Sequence, residues 1–183
     1  MLKQRRLWSL FPVVLMLFCA TDSFAQLSAF SDGPTIKGYG KKVEIPGQKF
    51  TPQQSFSVAF DVAAGAEAGE INRRFDSLAR FINMHTAAGV PKENIQLALV
   101  VHGKASIDLL NNETYQRVHQ TDNPNLGLLA ALQANQVRVI LCGQSATAYE
   151  IEHSQLAEGV EVALSAMTAH ALLQQQGYSV NPF

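Results

Sequence analysis

Cys142 stands in Val-Arg-Val-Ile-Leu-Cys-Gly-Gln-Ser-Ala at 137–146, where an apolar run ends in a thiol and passes directly into Gly143, Gln144 and Ser145. The run reads as a buried strand, and Gly-Gln-Ser as the turn into a helix. A group at the carboxyl end of a strand, beside helix-start amides, occupies the place where α/β sheets put ligands and nucleophiles. The thiolate is the reactive form of cysteine, and such amides favour it. Gly143 lets the backbone approach closely and exposes amides, while Gln144 and Ser145 add neutral donors. The competing reading is plain packing, because free cysteine is among the most buried residue types. Both readings stay open.

His102 ends the preceding apolar run, and Lys104 follows two residues later. Together they would help to hold an anionic substrate, although a structural hydrogen-bonder and a solvated loop lysine are the simpler roles. In the flavodoxin strand order the second and third strands flank the first, which puts His102 and Cys142 two strand spacings apart, about 10 Å. Asp61 interrupts another apolar run and needs a partner if buried. Arg73 or Arg74 on the following helix would supply one, as a structural ion pair. Asn111, Asn112, Asn123 and Asn125 read as helix caps and turns.

Several chemistries lack their residues. No Gly-x-Gly-x-x-Gly follows the first strand and no Walker-type Gly-Lys-Ser/Thr occurs, so no nucleotide cofactor is expected. The histidines at 85, 102, 119, 153 and 170 show no ligand spacing, so no metal site is expected either. There is no Cys-x-x-Cys and hence no thioredoxin-like dithiol.

The elements that position Cys142 begin after two other segments. Residues 1–25 have the three parts of a secretory signal: Lys3, Arg5 and Arg6, an apolar core from Leu7 to Cys19, and small residues around Ser23-Phe24-Ala25. Cleavage near Ala25 would remove Cys19 as well, leaving a periplasmic chain with one thiol and no stable membrane insertion. Phe18 stands where lipid attachment to Cys19 would need a small residue. Losing Lys3, Arg5, Arg6 and Asp22 leaves eleven basic and fourteen acidic residues, a balance that argues against nucleic-acid binding. Residues 26–54 are rich in Gly, Pro, Lys and Ser and read as an irregular arm. A solvated linker is a simpler role for it than a functional lid, and wrapping onto a neighbouring subunit is a further alternative.

From Ser55 to Phe183 strands and helices alternate. Apolar runs at 56–62, 95–101, 137–141 and 160–164 read as strands, with a short edge strand near 178–180. Ile71, Phe75, Leu78 and Ile82 recur at helical spacing, as do Leu126, Leu129 and Leu132 after the Asn123-Pro124-Asn125 start. Ser165 is placed to cap a last helix that stops at Gly177. The pattern implies a flavodoxin-like, doubly wound, mainly parallel α/β sheet with helices on both faces. Its strand ends would bring together Ala64 to Ala66, His102 to Lys104, Cys142 to Ser145, and Ser165.

The order of elements, with Val-Val-His-Gly at 100–103, Val-Ile-Leu-Cys-Gly-Gln-Ser-Ala at 139–146 and Val-Glu-Val-Ala-Leu-Ser-Ala-Met at 160–167, resembles the DsrE/DsrF-like family. It is most similar to that family's exported single-domain branch. The resemblance implies a flavodoxin-like fold, assembly into trimers or hexamers, and sulfur carried as a persulfide on a cysteine, a role that falls here on Cys142 alone. Many relatives have a second cysteine where this chain has Ser145, and the Arg-Gly that often follows the helix start is Tyr149-Glu150. The expected function is periplasmic sulfur handling by a single-cysteine carrier or sulfurtransferase. A small anionic sulfur species or a partner persulfide protein would be the donor. A non-catalytic oligomeric binding protein with a buried cysteine, or a thiol redox sensor, are the alternatives.

Overall fold

The computed structural model describes residues 29–182; the signal segment and Cys19 lie outside the described residues. Five strands, β1 (Phe56–Val62), β2 (Ile95–Val101), β3 (Arg138–Cys142), β4 (Val160–Ala163) and β5 (Ser179–Pro182), form one all-parallel sheet in the order β4-β3-β2-β1-β5. The helices are α1 (Arg73–Ala87), α2 (Asn112–His119), α3 (Leu126–Ala134), α4 (Gly143–Ala148) and α5 (Ala166–Gln175). The fold is α/β and flavodoxin-like, but its strand order departs from the one the sequence suggested. β1 is flanked by β2 and β5, not by β2 and β3.

The order explains the two layers of helix. From β1 to β4 each strand pairs beside the one before it, stepping in one direction across the sheet. Right-handed crossovers then place α1 to α4 on one face. The chain next runs from β4 back to the far side of β1 to form β5, which reverses the step and carries α5 to the opposite face. Side-chain alternation records this division. Val58, Phe60, Val62, Leu97, Leu99, Val101, Val139 and Leu141 join Phe75, Leu78, Ile82, Leu128, Leu129 and Leu132 in one buried cluster. Ala59, Ala98, Val100 and Ile140 meet Ala169 and Leu173 of α5 in a second, smaller one.

Local chemistry sets the helix ends. Asn72, Asn111 and Ser165 accept backbone N–H groups of Arg74, Thr114 and Thr168, satisfying donors that a helix start leaves open. Gly177, at φ +90°, ends the last helix in the left-handed region. Ile71 lies just before α1 and is exposed, so the buried stripe of that helix begins at Phe75.

The described part of the arm, residues 29–54, packs against the α/β domain and is not a solvated linker. Ile36 is buried, and fully buried Asn83 on α1 holds the segment. Its Oδ1 accepts the N–H groups of Thr35 and Ile36, and its Nδ2 donates to the carbonyls of Ile36, Tyr39 and Gly40. One side chain therefore supplies partners that irregular backbone lacks. No helix among the described residues is long and apolar enough to cross a membrane.

Candidate functional site

Alternation along the strands carries the site to one face. Asp61 continues Ala59 on β1, His102 continues Ala98 and Val100 beyond β2, and Cys142 continues Ile140 on β3. All three point toward α5 at the carboxyl rim of the sheet. Because β2 lies between β1 and β3, His102 is one strand spacing from Cys142, about 4.8 Å between backbones, and not the two expected from the flavodoxin order.

The Cys142 residue is only 5% exposed, but it lines a cleft of about 550 Å³. Burial pushes the thiol up. The nearby N–H and hydroxyl of Ser145 and the N–H groups of Ala166 and Gln144 favour the thiolate, outweigh this and hold the thiol below the ordinary cysteine range. These donors come from the first turns of α4 and α5, so two helix starts converge on one sulfur. The Ser145 hydroxyl also accepts the N–H of Gly103 at 3.0 Å, tying the sulfur site to the turn after β2. Gly143 serves the same end. A Cβ there would lie 2.7 Å from the Ala163 carbonyl oxygen, so only glycine lets β3 turn into α4 this close to β4.

Beside the thiol, one carboxylate holds two imidazoles. His170 Nε2 meets Asp61 Oδ1 at 2.8 Å, and His102 Nε2 lies 3.2 Å from the same oxygen and 3.3 Å from Oδ2. Asp61 thus finds its partners on the α5 side of the sheet, not in Arg73 or Arg74 as the sequence suggested; α1 belongs to the other face. His170 Nδ1 is buried with no partner, and because an ionised carboxylate only accepts, the Asp61 contact calls for the proton on Nε2. The carboxylate thus fixes both imidazoles in the wall of the cleft that also holds the thiol.

The expected residues separate accordingly. Cys142, Gln144, Ser145, His102 and Ser165 all line the cleft, while Gly143 shapes its floor without lining it. Lys104 is exposed on the 3-10 turn at Gly103–Leu109 and lies outside the lining. Ala64 and Ala66 turn away to another group: Asn72 donates to the Ala64 carbonyl, and Ala66 N–H donates to Asp108. His170 is not legible from its spacing to the other histidines, which carries no signal. Its clue lies in the helix itself, where Ala166, Ala169, His170 and Leu173 form one stripe at helical spacing facing the sheet. Among the described residues no cluster of three or more His, Cys, Asp or Glu side chains could hold a metal ion.

Fold and site define an α/β protein with, among the described residues, one thiol, Cys142, at the carboxyl rim of a parallel sheet. The chain belongs to the DsrE/DsrF-like family, whose model matches residues 55–182. Among solved structures it is similar to "Protein of Unknown Function MTH1491 from Methanobacterium thermoautotrophicum", at 15% identity and a TM-score of 0.54, covering 70% of this chain and 100% of that one. It is also similar to the ychN protein from E. coli, at 24% identity and a TM-score of 0.50, with the same coverage. These likenesses concern the fold. No curated protein matches the chain significantly.

Proposed function

We propose that the protein is a single-thiol sulfur carrier: Cys142 takes up sulfane sulfur as a persulfide and passes it to an acceptor thiol. Membership in a family associated with sulfur relay supports this reading. The observation that carries it is the place of Cys142 at the carboxyl end of β3, lining a cleft together with Gln144, Ser145 and Ala166, whose N–H and hydroxyl groups favour the thiolate. The same donors that favour thiolate as a nucleophile favour it as a leaving group. In uptake, the thiolate attacks the outer sulfur of a donor. A Cys142 S–S bond forms, the donor's bond to that sulfur breaks, and the donor fragment departs with the electron pair. In delivery, an acceptor thiolate attacks the outer sulfur and Cys142 leaves as thiolate. One thiol suffices, because the acceptor resolves the persulfide by exchange.

Export to the periplasm and assembly into a homo-oligomer belong to the same proposal. The basic, apolar and small-residue pattern of residues 1–25 supports the first. Leu164 and Met167, 73% and 79% exposed beside the cleft, support the second or the docking of an acceptor. The test is intact mass after anaerobic incubation of the reduced protein with polysulfide, for the parent chain and Cys142→Ala. A gain of whole sulfur atoms on the parent alone is expected. No gain overturns the carrier reading, and oxygen gained from peroxide without any gain of sulfur would replace it with a thiol sensor.

A further inference from the structure

We infer that the sulfur donor is a small hydropersulfide bearing an ammonium group, and not thiosulfate or another anion. This rests on the carrier reading above and narrows its substrate. Among the described residues lining the cleft there is no lysine or arginine; the ionisable groups are Asp61, His102, Cys142 and His170. Lys104, the cation the sequence offered for an anionic donor, is exposed and outside the lining. Both imidazoles direct Nε2 to Asp61. Even with both protonated, the Asp61 carboxylate and the Cys142 thiolate cancel their charge, and with either neutral the cleft is net negative. The backbone amides at this end of the cleft, those of Gln144, Ser145 and Ala166, favour the Cys142 thiolate itself.

A dianion such as thiosulfate therefore finds no lysine or arginine in the cleft, and the Asp61 carboxylate and the Cys142 thiolate oppose it. An ammonium group meets Asp61, whose side chain is 29% exposed and within reach of the cleft. Met167, Val180 and Pro182 supply apolar wall for a short carbon chain. The volume of about 550 Å³ falls within the range that takes small organic ligands. The transfer balances without an oxidant. Cys142 thiolate attacks the outer sulfur of R–S–SH, the new S–S bond forms, the donor S–S bond breaks, and R–S⁻ departs with the electron pair. The proton on the outer sulfur travels with it to the protein persulfide.

The experiment uses four donors at equal concentration with the reduced protein: the freshly generated persulfides of cysteamine, 2-mercaptoethanol and 3-mercaptopropionate, and thiosulfate. The rate of single-sulfur gain on Cys142 is followed by intact mass, and each rate is divided by that of free 2-mercaptoethanol with the same donor. Cysteamine persulfide should react about tenfold faster than 3-mercaptopropionate persulfide, with the neutral donor between and thiosulfate slowest. Asp61→Asn should narrow the spread among the three persulfides to within about twofold, because the charge that sorts them is gone. Equal normalised rates, or a faster anionic donor, overturn this inference and leave the carrier reading standing. Absence of sulfur gain from all four donors overturns the carrier reading beneath it.

Discussion

Each face of the sheet ends in an aspartate at the carboxyl rim, and the two aspartates are treated in opposite ways. On the α1 and α3 side, Asp108 is 2% exposed and sits above the large apolar cluster. It accepts the N–H of Ala66 at 3.0 Å and Asn72 Nδ2 at 2.7 Å. Asn72 N–H in turn donates to Asn125, and Asn125 to Asn123. Neutral amides answer this carboxylate, so the network ties the loop before α1 to the start of α3 and offers nothing to a ligand. On the α5 side, Asp61 sits above a cluster of only six buried residues, two of them strand alanines. Its partners are imidazoles at a cleft that also holds the thiol. A thick apolar face carries the stability, and the thin face, covered by one helix, leaves room for chemistry.

The sharpest way to break that division is to cut each face separately. Phe75→Ala, on the thick side, empties a fully buried ring position and should cost about 3–5 kcal/mol in denaturant unfolding. At a temperature where the variant stays folded, its sulfur uptake per folded molecule should match that of the parent. A loss of uptake beyond the unfolded fraction would show that the faces are coupled.

Ser145→Ala removes the hydroxyl that links Cys142 to Gly103, a link confined to the thin side. Its unfolding free energy should change by no more than about 1 kcal/mol. The thiol should move back up toward its ordinary range, so alkylation by iodoacetamide at pH 7 should slow about three- to tenfold. Unchanged alkylation would remove Ser145 from the group that holds the thiolate.

The smallest effect is expected from Asp108→Asn. Burial pushes the Asp108 carboxyl up, with the Asn72 and Ala66 hydrogen bonds and His119 pulling it partly back. A carboxyl raised in the folded state binds its proton more tightly there than in the unfolded chain. Its contribution is fully present below the unfolded carboxylate range and is lost as pH rises through the folded value. The amide keeps an acceptor for Asn72 and Ala66 without the buried charge. The variant should therefore unfold at a modestly higher temperature than the parent at pH 7, and the gap should shrink on acidification. A gap that widens at low pH would reverse this assignment.

What could be read from residues alone was whatever local chemistry decides. The spans 56–62 and 95–101 emerge as strands because they are mostly apolar, broken only by Ser57, Asp61 and Gln96, and the structure places β1 and β2 on those same spans. Ser165 caps α5 and Gly177 ends it, because an N-cap oxygen and a left-handed turn need only their immediate neighbours. Cys142 was legible for the same reason, as a thiol on the last residue of a strand ahead of Gly-Gln-Ser. Strand order was not legible, because parallel neighbours are chosen by crossovers that pack long segments, and no local signal says that β2 separates β1 from β3. That order brings His102 one strand from Cys142 and sends α5 to the opposite face. Asp61 therefore meets His170, 109 residues away, and not the arginines that follow it closely in the chain. The thiol could be found from its own surroundings; the charge of the cleft around it was decided by the tertiary fold.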